Sequence, residues 1–313
     1  MLGSQPTDGG HLILTEDEHA LIVAEYPEAK AFFKRFVGSY ELINGLFRWC
    51  LFLTQENRAQ WEQILPIRQH VAACRDFRLK SKKAATVKCA ETPWQFADLR
   101  LAEPVAALVI PRVSSELRPY LPVGFIDSQT IVSDSAYLLP DATLIDFAVI
   151  SSHIHVVWMR LTSGRLKSDY RYSRDLTYST FIWPELTPQQ QQPLEMLAQQ
   201  IIDFCKQATS DPNNKMTLGK LYNPESMPHE LKELFAQLDR VVEQAYRPEP
   251  FKDDDERLSF LLGLYKKRID ELKEQEAAKA RAKRIRSTAT MAKTQAADQS
   301  AKKAKRSRKA TQA

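Results

Sequence analysis

Glycine is scarce in this chain, with nine in 313 residues. None stands in a G-x-G-x-x-G or G-x-x-x-x-G-K-[S/T] spacing. Those are the turns whose backbone cradles pyrophosphate or triphosphate, so nucleotide-binding domains of that kind are excluded. A methyltransferase core, with its glycine turn from strand to helix, is excluded on the same ground. Long apolar runs are also missing. No stretch approaches the ~20 residues that cross a bilayer, so no membrane association is expected. The first ten residues carry no basic segment and no apolar run, so the expectation is no secretory leader and a cytoplasmic location.

Metal and nucleophile signatures are absent as well. The four cysteines, Cys50, Cys74, Cys89 and Cys205, form no C-x-x-C pair and no His/Cys cluster of zinc spacing. They read as reduced thiols. His153 and His155 lie two apart in a predicted helix and point to different faces. No G-x-S-x-G elbow occurs. Asn223-Pro224-Glu225-Ser226 begins like the Asn-Pro-Pro-aromatic motif of amino-methylases but lacks the second proline and the aromatic. Glu230-Leu-Lys232 has no matching upstream acid for a nuclease. No catalytic, cofactor-binding or metal-ligating residue is assigned.

The chain does carry an uneven charge. The net +5 conceals a basic tail, because 277–313 holds twelve Lys and Arg against Asp298, a net +11 that leaves the other 276 residues at −6. A basic face on the body must therefore be local.

Hydrophobic residues make up 43%, enough to build a core, and the patterning predicts an α+β chain. Thr15 with Glu18 three residues on is a capping box, so a helix should run to about Tyr26. Pro27 should open a second helix to about Val37. RWCLFL (48–53) reads as a buried strand, and 55–80 as an amphipathic helix bent at Pro66. The proline-punctuated β-branched runs of 92–140 read as short strands. Phe147, Ile150, Ile154, Val157, Trp158 and Leu161 recur at steps of three and four, one helix over 142–163 that Gly164 should end. Helices are predicted over 188–206, 227–246 and 253–286, with acids 253–256 at the start of the last. The tail after about 287 should be disordered. Trp49, Trp158 and Trp183 read as core anchors.

One segment carries recognition chemistry: GRLKSDYRYS at 164–173. Read as a single extended strand, it places Lys167, Asp169 and Arg171 on one face and Ser168, Tyr170 and Tyr172 on the other. Donor, acceptor and donor in a row suit base edges in the major groove. Lys can donate to guanine O6 and N7, and Asp can accept from cytosine N4. Arg165, Ser173 and Arg174 flank the row as candidate phosphate contacts. An ion-pair ladder on an exposed strand has the same residue pattern.

Several stretches resemble the MmeI-like (type IIG/IIL) restriction-modification enzymes. PTDGGHLIL (6–14) resembles the exit from their methyltransferase domain. VGSYELING (37–45) and RWCL (48–51) resemble the start of their target recognition domain. RPYLPVGF (118–125), 164–173, YSTFIWP (178–184), LYNPESMP (221–228) and 238–246 follow in order. The likeness runs over about 4–267. In the family, Ser-Thr-Phe-Ile at 179–182 would be an Asn-Asn/Thr-Phe-Pro run, and the basic tail has no counterpart.

The resemblance implies a methyltransferase exit or linker (1–37), a mixed α/β target recognition domain (38–186), a helical C-terminal domain (187–275) and a basic helical extension with a disordered tail (276–313). It implies double-stranded DNA as partner, with Lys167, Asp169 and Arg171 reading bases. It also implies a catalytic methyltransferase or nuclease part, and S-adenosylmethionine bound there and not here. Three further readings stay open. The chain could be a nonspecific nucleic-acid binder acting through its tail, a subunit that docks a methyltransferase, or a truncated relic.

Overall fold

Thr15 caps the first helix as its spacing from Glu18 predicts. In the computed structural model, which describes residues 1–101, 105–211 and 216–280, the Glu18 N–H donates to Thr15 Oγ at 3.3 Å and the Thr15 N–H donates to Glu18 Oε2 at 2.7 Å. The chain is α+β, and it falls into two compact units, Met1–Leu258 and Ser259–Ala313. Within the second, residues 259–280 are helical. The expected end of the last helix and the tail beyond it lie outside the described residues.

The first unit opens with β1 (Ile13–Leu14), α1 (Glu16–Glu25), β2 (Phe33–Val37), α2 (Ser39–Asn44) and β3 (Arg48–Leu51). The second helix expected from Pro27 is instead a six-residue 3-10 helix, Pro27–Phe32, that hands over to β2. Ala29, Phe32, Phe33 and Phe36 are spaced as a helical stripe. The open edges of β3 and of a later strand claim the backbone of 33–37 all the same. Residues 1–37, read from the sequence as an exit segment, thus supply two of four strands in the sheet β1-β3-β2-β7.

Helices α3 (Arg58–Trp61), α4 (Leu65–Leu79) and α5 (Ala84–Lys88) follow. Pro66 does not bend a long helix; it lies in the first turn of α4, where its missing N–H costs nothing. The predicted short strands are β4 (Ala107–Pro111), β5 (Val113–Ser114), β6 (Gly124–Ile126), β7 (Thr130–Val132) and β8 (Ala136–Pro140). β6, β4 and β8 form an antiparallel sheet, and β7 runs parallel to β2.

The helix predicted over 142–163 is two, α6 (Leu144–Ser151) and α7 (His153–Thr162), bent by 59°. Ser151 Oγ donates to Phe147 O (2.6 Å) and Ser152 Oγ to Val149 O (2.7 Å), while Ser152 turns extended at ψ 154°. Adjacent serines that bind the preceding carbonyls offer the backbone an alternative to the helical ladder. Most of the predicted stripe is buried, but Leu161 is 49% exposed. Gly164 is no left-handed cap either. Ser163 already turns extended at ψ 146°, and Gly164 opens the next strand. Of the predicted anchors, Trp158 is buried, whereas Trp49 and Trp183 are half-buried.

β9 (Gly164–Leu166) and β10 (Asp169–Arg171) lead to α8 (Pro188–Ser210), α9 (Leu218–Leu221) and α10 (His229–Gln244). No single helix among the described residues is long and apolar enough to cross a membrane. α10 meets the strand-rich part through Asp239. Burial pushes the Asp239 carboxyl up to about 6, although the His153 N–H (2.7 Å) and the Tyr120 hydroxyl (2.8 Å) donate to it. His153 in turn pairs with Asp254 at 2.8 Å, which also takes Arg160 and Arg257.

Two stability predictions follow from buried charge. Arg78, wholly buried, sends hydrogen bonds to the carbonyls of Pro6, Thr7, Cys89, Thr92 and Gln95 at 2.7–3.1 Å. Arg78→Met removes all five donors and the packing of the buried side chain, so chemical denaturation should report a loss of about 3 kcal/mol or more. Asp239 holds its proton more tightly folded than unfolded. The folded state therefore loses stability as pH rises from about 4 to about 6. Asp239→Asn removes that contribution, so the urea midpoint of the variant minus that of the wild type should climb across the same window and level off above it. A flat difference would show that Asp239 titrates normally.

Candidate nucleic-acid interface

Residues 164–171 are a hairpin, not the single extended strand predicted. β9 pairs with β10 antiparallel, with Asp169 opposite Leu166, Tyr170 opposite Arg165 and Arg171 opposite Gly164. Lys167 and Ser168 make the two-residue turn. Serine is common in turns but lysine is not, and Lys167 takes a φ of +57°. A two-residue hairpin loop needs positive φ at its first position to match strand twist, and glycine or asparagine usually supplies it. A lysine there is strained by about 1–2 kcal/mol.

The row of three is thereby broken. Asp169 and Arg171 still share one face of β10, two residues apart. Lys167 stands exposed at the tip, where the turn sets its direction. Arg171 is exposed and Asp169 half-buried.

The predicted phosphate contacts have work within the protein. Arg165 donates through Nη1 to Glu116 Oε2 (3.0 Å) and to Ser168 O (2.6 Å), and through Nη2 to the Tyr170 hydroxyl (3.2 Å). Its guanidinium also lies 4.0 Å from the centre of the Tyr170 ring. It braces the turn from beneath. Ser173 caps the following helical turn, Arg174–Tyr178, by accepting from the Leu176 N–H at 3.1 Å. Arg174 is exposed and pairs with its neighbour Asp175 at 2.8 Å, which raises its pKa. The structure thus brings Lys167, Asp169 and Arg171 to one hairpin and sets Ser173 and Arg174 beyond its base.

The hairpin rests on a third strand and on a helix. β10 pairs with β5, Tyr170 against Ser114 and Arg171 against Val113. Tyr172 is buried, and its hydroxyl shares a hydrogen bond of 2.9 Å with Nε2 of the buried His155 on α7. Burial lowers the His155 pKa to about 3, so the ring is neutral and adds no charge beneath the hairpin.

Sequence reasoning missed Arg118. It sits in the loop after β5, and burial lowers its pKa while the charge of Asp169 acts to raise it. Its Nε is buried without a hydrogen-bond partner. RPYLPVGF was noted as a family stretch, but loop composition alone does not say that this arginine comes back to Asp169.

Among the described residues, no group of three or more His, Cys, Asp or Glu is placed to hold a metal ion. The strand-to-helix turn at Gly38, between β2 and α2, is closed by the protein itself. A Cβ there would strike Ser135 Oγ, and the Gly38 N–H already donates to Glu41 Oε2 at 2.8 Å.

Comparison with known proteins gives the same reading of the chain. Residues 1–185 match the family described as MmeI, target recognition domain, and 186–273 the family described as MmeI, C-terminal domain. The "DNA methyltransferase A" of Bacillus subtilis (strain 168) is 40% identical over 266 residues, 84% of this chain and 29% of that protein. The solved structure of the type IIL restriction-modification enzyme MmeI in complex with DNA superposes with a TM-score of 0.78 at 34% identity, covering 85% of this chain and 35% of that one. The chain spans about a third of the length of these relatives. It belongs to the MmeI family, with that family's target recognition domain followed by its C-terminal domain.

Proposed function

We propose that this chain selects a site on double-stranded DNA for an adenine-N6 methyltransferase, reading bases with the β9–β10 hairpin. The observation that carries the reading is a strained lysine at the tip of a braced hairpin, beside an acid and an arginine that share one strand face. The MmeI structure solved with DNA supports it.

In the major groove, Lys167 would donate to guanine O6 and N7, and Asp169 would accept from N4 of the paired cytosine. Arg171, two residues on along the same face, would reach the next base edge or a phosphate. Tyr170 and Arg165 keep the turn rigid, so little ordering entropy is lost on docking. Methyl transfer would take place in a methyltransferase part, on the same polypeptide or a separate one, into which the target adenine flips. S-adenosylmethionine would supply the methyl group there. The residues described here fix where the duplex lies and leave the chemistry to that part.

The test is selection from random duplexes by the full chain at about 150 mM salt, where nonspecific attraction is screened. One motif should be enriched. Lys167→Ala/Asp169→Ala should relax a single G·C position, worth about 1–3 kcal/mol, and leave the others unchanged. Enrichment of the same motif by this variant would sink the assignment of the two residues. Lys167→Gly should do something a surface ion-pair ladder would not. It relieves the positive φ and so stabilises the fold by about 0.5–1 kcal/mol, read as a higher thermal midpoint, while it loses the same G·C preference as the alanine variant.

A further inference from the structure

A groove of about 520 Å³ opens beside the hairpin. Tyr40 and Asn44 of α2 line one side, Val113 and Arg118 the floor, and Thr217 and Lys220 at α9 the other. Both halves of the first unit therefore contribute, the strand-rich part and the helical part. Gly219 brings them close, since a Cβ there would sit 3.0 Å from Ile43 Cγ2.

Three features give the groove its chemistry. Among the described residues that line it, two are cationic and none is a carboxylate. Arg118 is partly desolvated, its Nε is buried without a partner, and the opposite charge acting on it is Asp169. A desolvated guanidinium is costly unless it meets an anion, and its planar donors suit the oxygens of phosphate. The phenol of Tyr40, a residue 67% exposed, adds a neutral donor at the rim. The wall formed by Val113 is also the strand partner of Arg171, so the groove begins where the hairpin's candidate reading face ends.

We propose that this groove seats two neighbouring phosphodiesters of the DNA backbone next to the base pair that the hairpin reads, one against Arg118 and one against Lys220. The inference rests on the DNA-recognition reading above and extends it, because it makes the C-terminal helical part a direct DNA contact through α9. Two phosphate contacts fix the register of the duplex against the hairpin without reading sequence.

The experiment uses the full chain and the duplex it enriches, with binding followed by fluorescence anisotropy from 50 to 200 mM salt. Each phosphate engaged adds about 0.9 to the log-log slope. Arg118→Gln/Lys220→Gln should lower the slope by about 2, so the affinity loss across that range shrinks about tenfold, with the enriched motif unchanged. Arg118→Lys should restore about one of the two contacts. Lys167→Ala/Asp169→Ala should behave oppositely, with its motif altered and its slope nearly kept. A melting curve shows whether the double variant is folded. If it is not, wild-type protein with methylphosphonates placed singly along the duplex carries the test, and neutralising a phosphate adjacent to the read G·C pair should lower the slope.

An unchanged slope in the folded double variant, or in every methylphosphonate duplex, would overturn the groove assignment and leave the base-reading one standing. No enriched motif with wild type would overturn both. If inorganic phosphate raises the melting temperature of wild type, and not of the double variant, while the two slopes agree, the groove is a free-anion site and the DNA proposal fails.

Discussion

Arg78 holds the N-terminal strap in place, and the first sheet is built against that strap. All five N–H groups of its guanidinium point to main-chain carbonyls, two on the strap (Pro6, Thr7) and three on the loop after α5 (Cys89, Thr92, Gln95). No carboxylate is among these partners. A buried cation this far from water is tolerable only because every donor is satisfied. Carbonyl dipoles converge on it, and those of Pro6, Cys89 and Thr92 also accept a main-chain N–H. The strap so fixed, residues 2–7, runs beside β8 at Leu2 and past the end of β7 at Ser4, where Gly3 passes close enough to Ser133 that no side chain would fit.

From that anchor the geometry passes outward in steps. β2 joins β3 to β7, and the adjoining β4–β8 sheet shares its core with Val132. The break at Ser152 turns α7 away from α6, so His155 meets Tyr172 at the base of the hairpin while the His153 N–H meets Asp239 on α10. One broken helix thus sets both the hairpin and the helical part. The polar links at this junction are charged or buried, and each has a partner on the other side. Burying Asp239 is therefore costly yet specific.

The tip of the hairpin is built on the opposite principle. Its turn uses a residue ill suited to positive φ, and its strands are short and exposed. Arg165 compensates by tying Glu116, Ser168 and Tyr170 together. Strain held by surrounding contacts is what a recognition element needs if its side chains are to be presented before a ligand arrives. The body of the chain is net acidic, so any basic face on it is local.

Much of this was legible in the residues. The Thr15–Glu18 cap, the strand from Arg48 (read as 48–53, formed over 48–51 with only its second half buried), the run of short strands after 92 and the helices from 188 follow from local rules, because capping, alternation and the 3.6-residue stripe act over a few neighbours. The absence of phosphate-cradling glycines also follows from sequence alone. Three features did not. Residues 33–37 carry apolar spacing that fits a helix as well as a strand, and only the unpaired edges of β3 and β7 chose. The serines at 151 and 152 are unremarkable in a helical stripe until their hydroxyls take the preceding carbonyls. Lys167-Ser168 lacks the glycine or asparagine that marks a two-residue hairpin turn, yet the chain reverses there because β10 gains a partner on each side, β5 and β9. Local chemistry determined which residues are available for recognition. Backbone pairing between distant strands decided which of them stand together, since a hydrogen-bonded edge stabilises a conformation that its own sequence does not prefer.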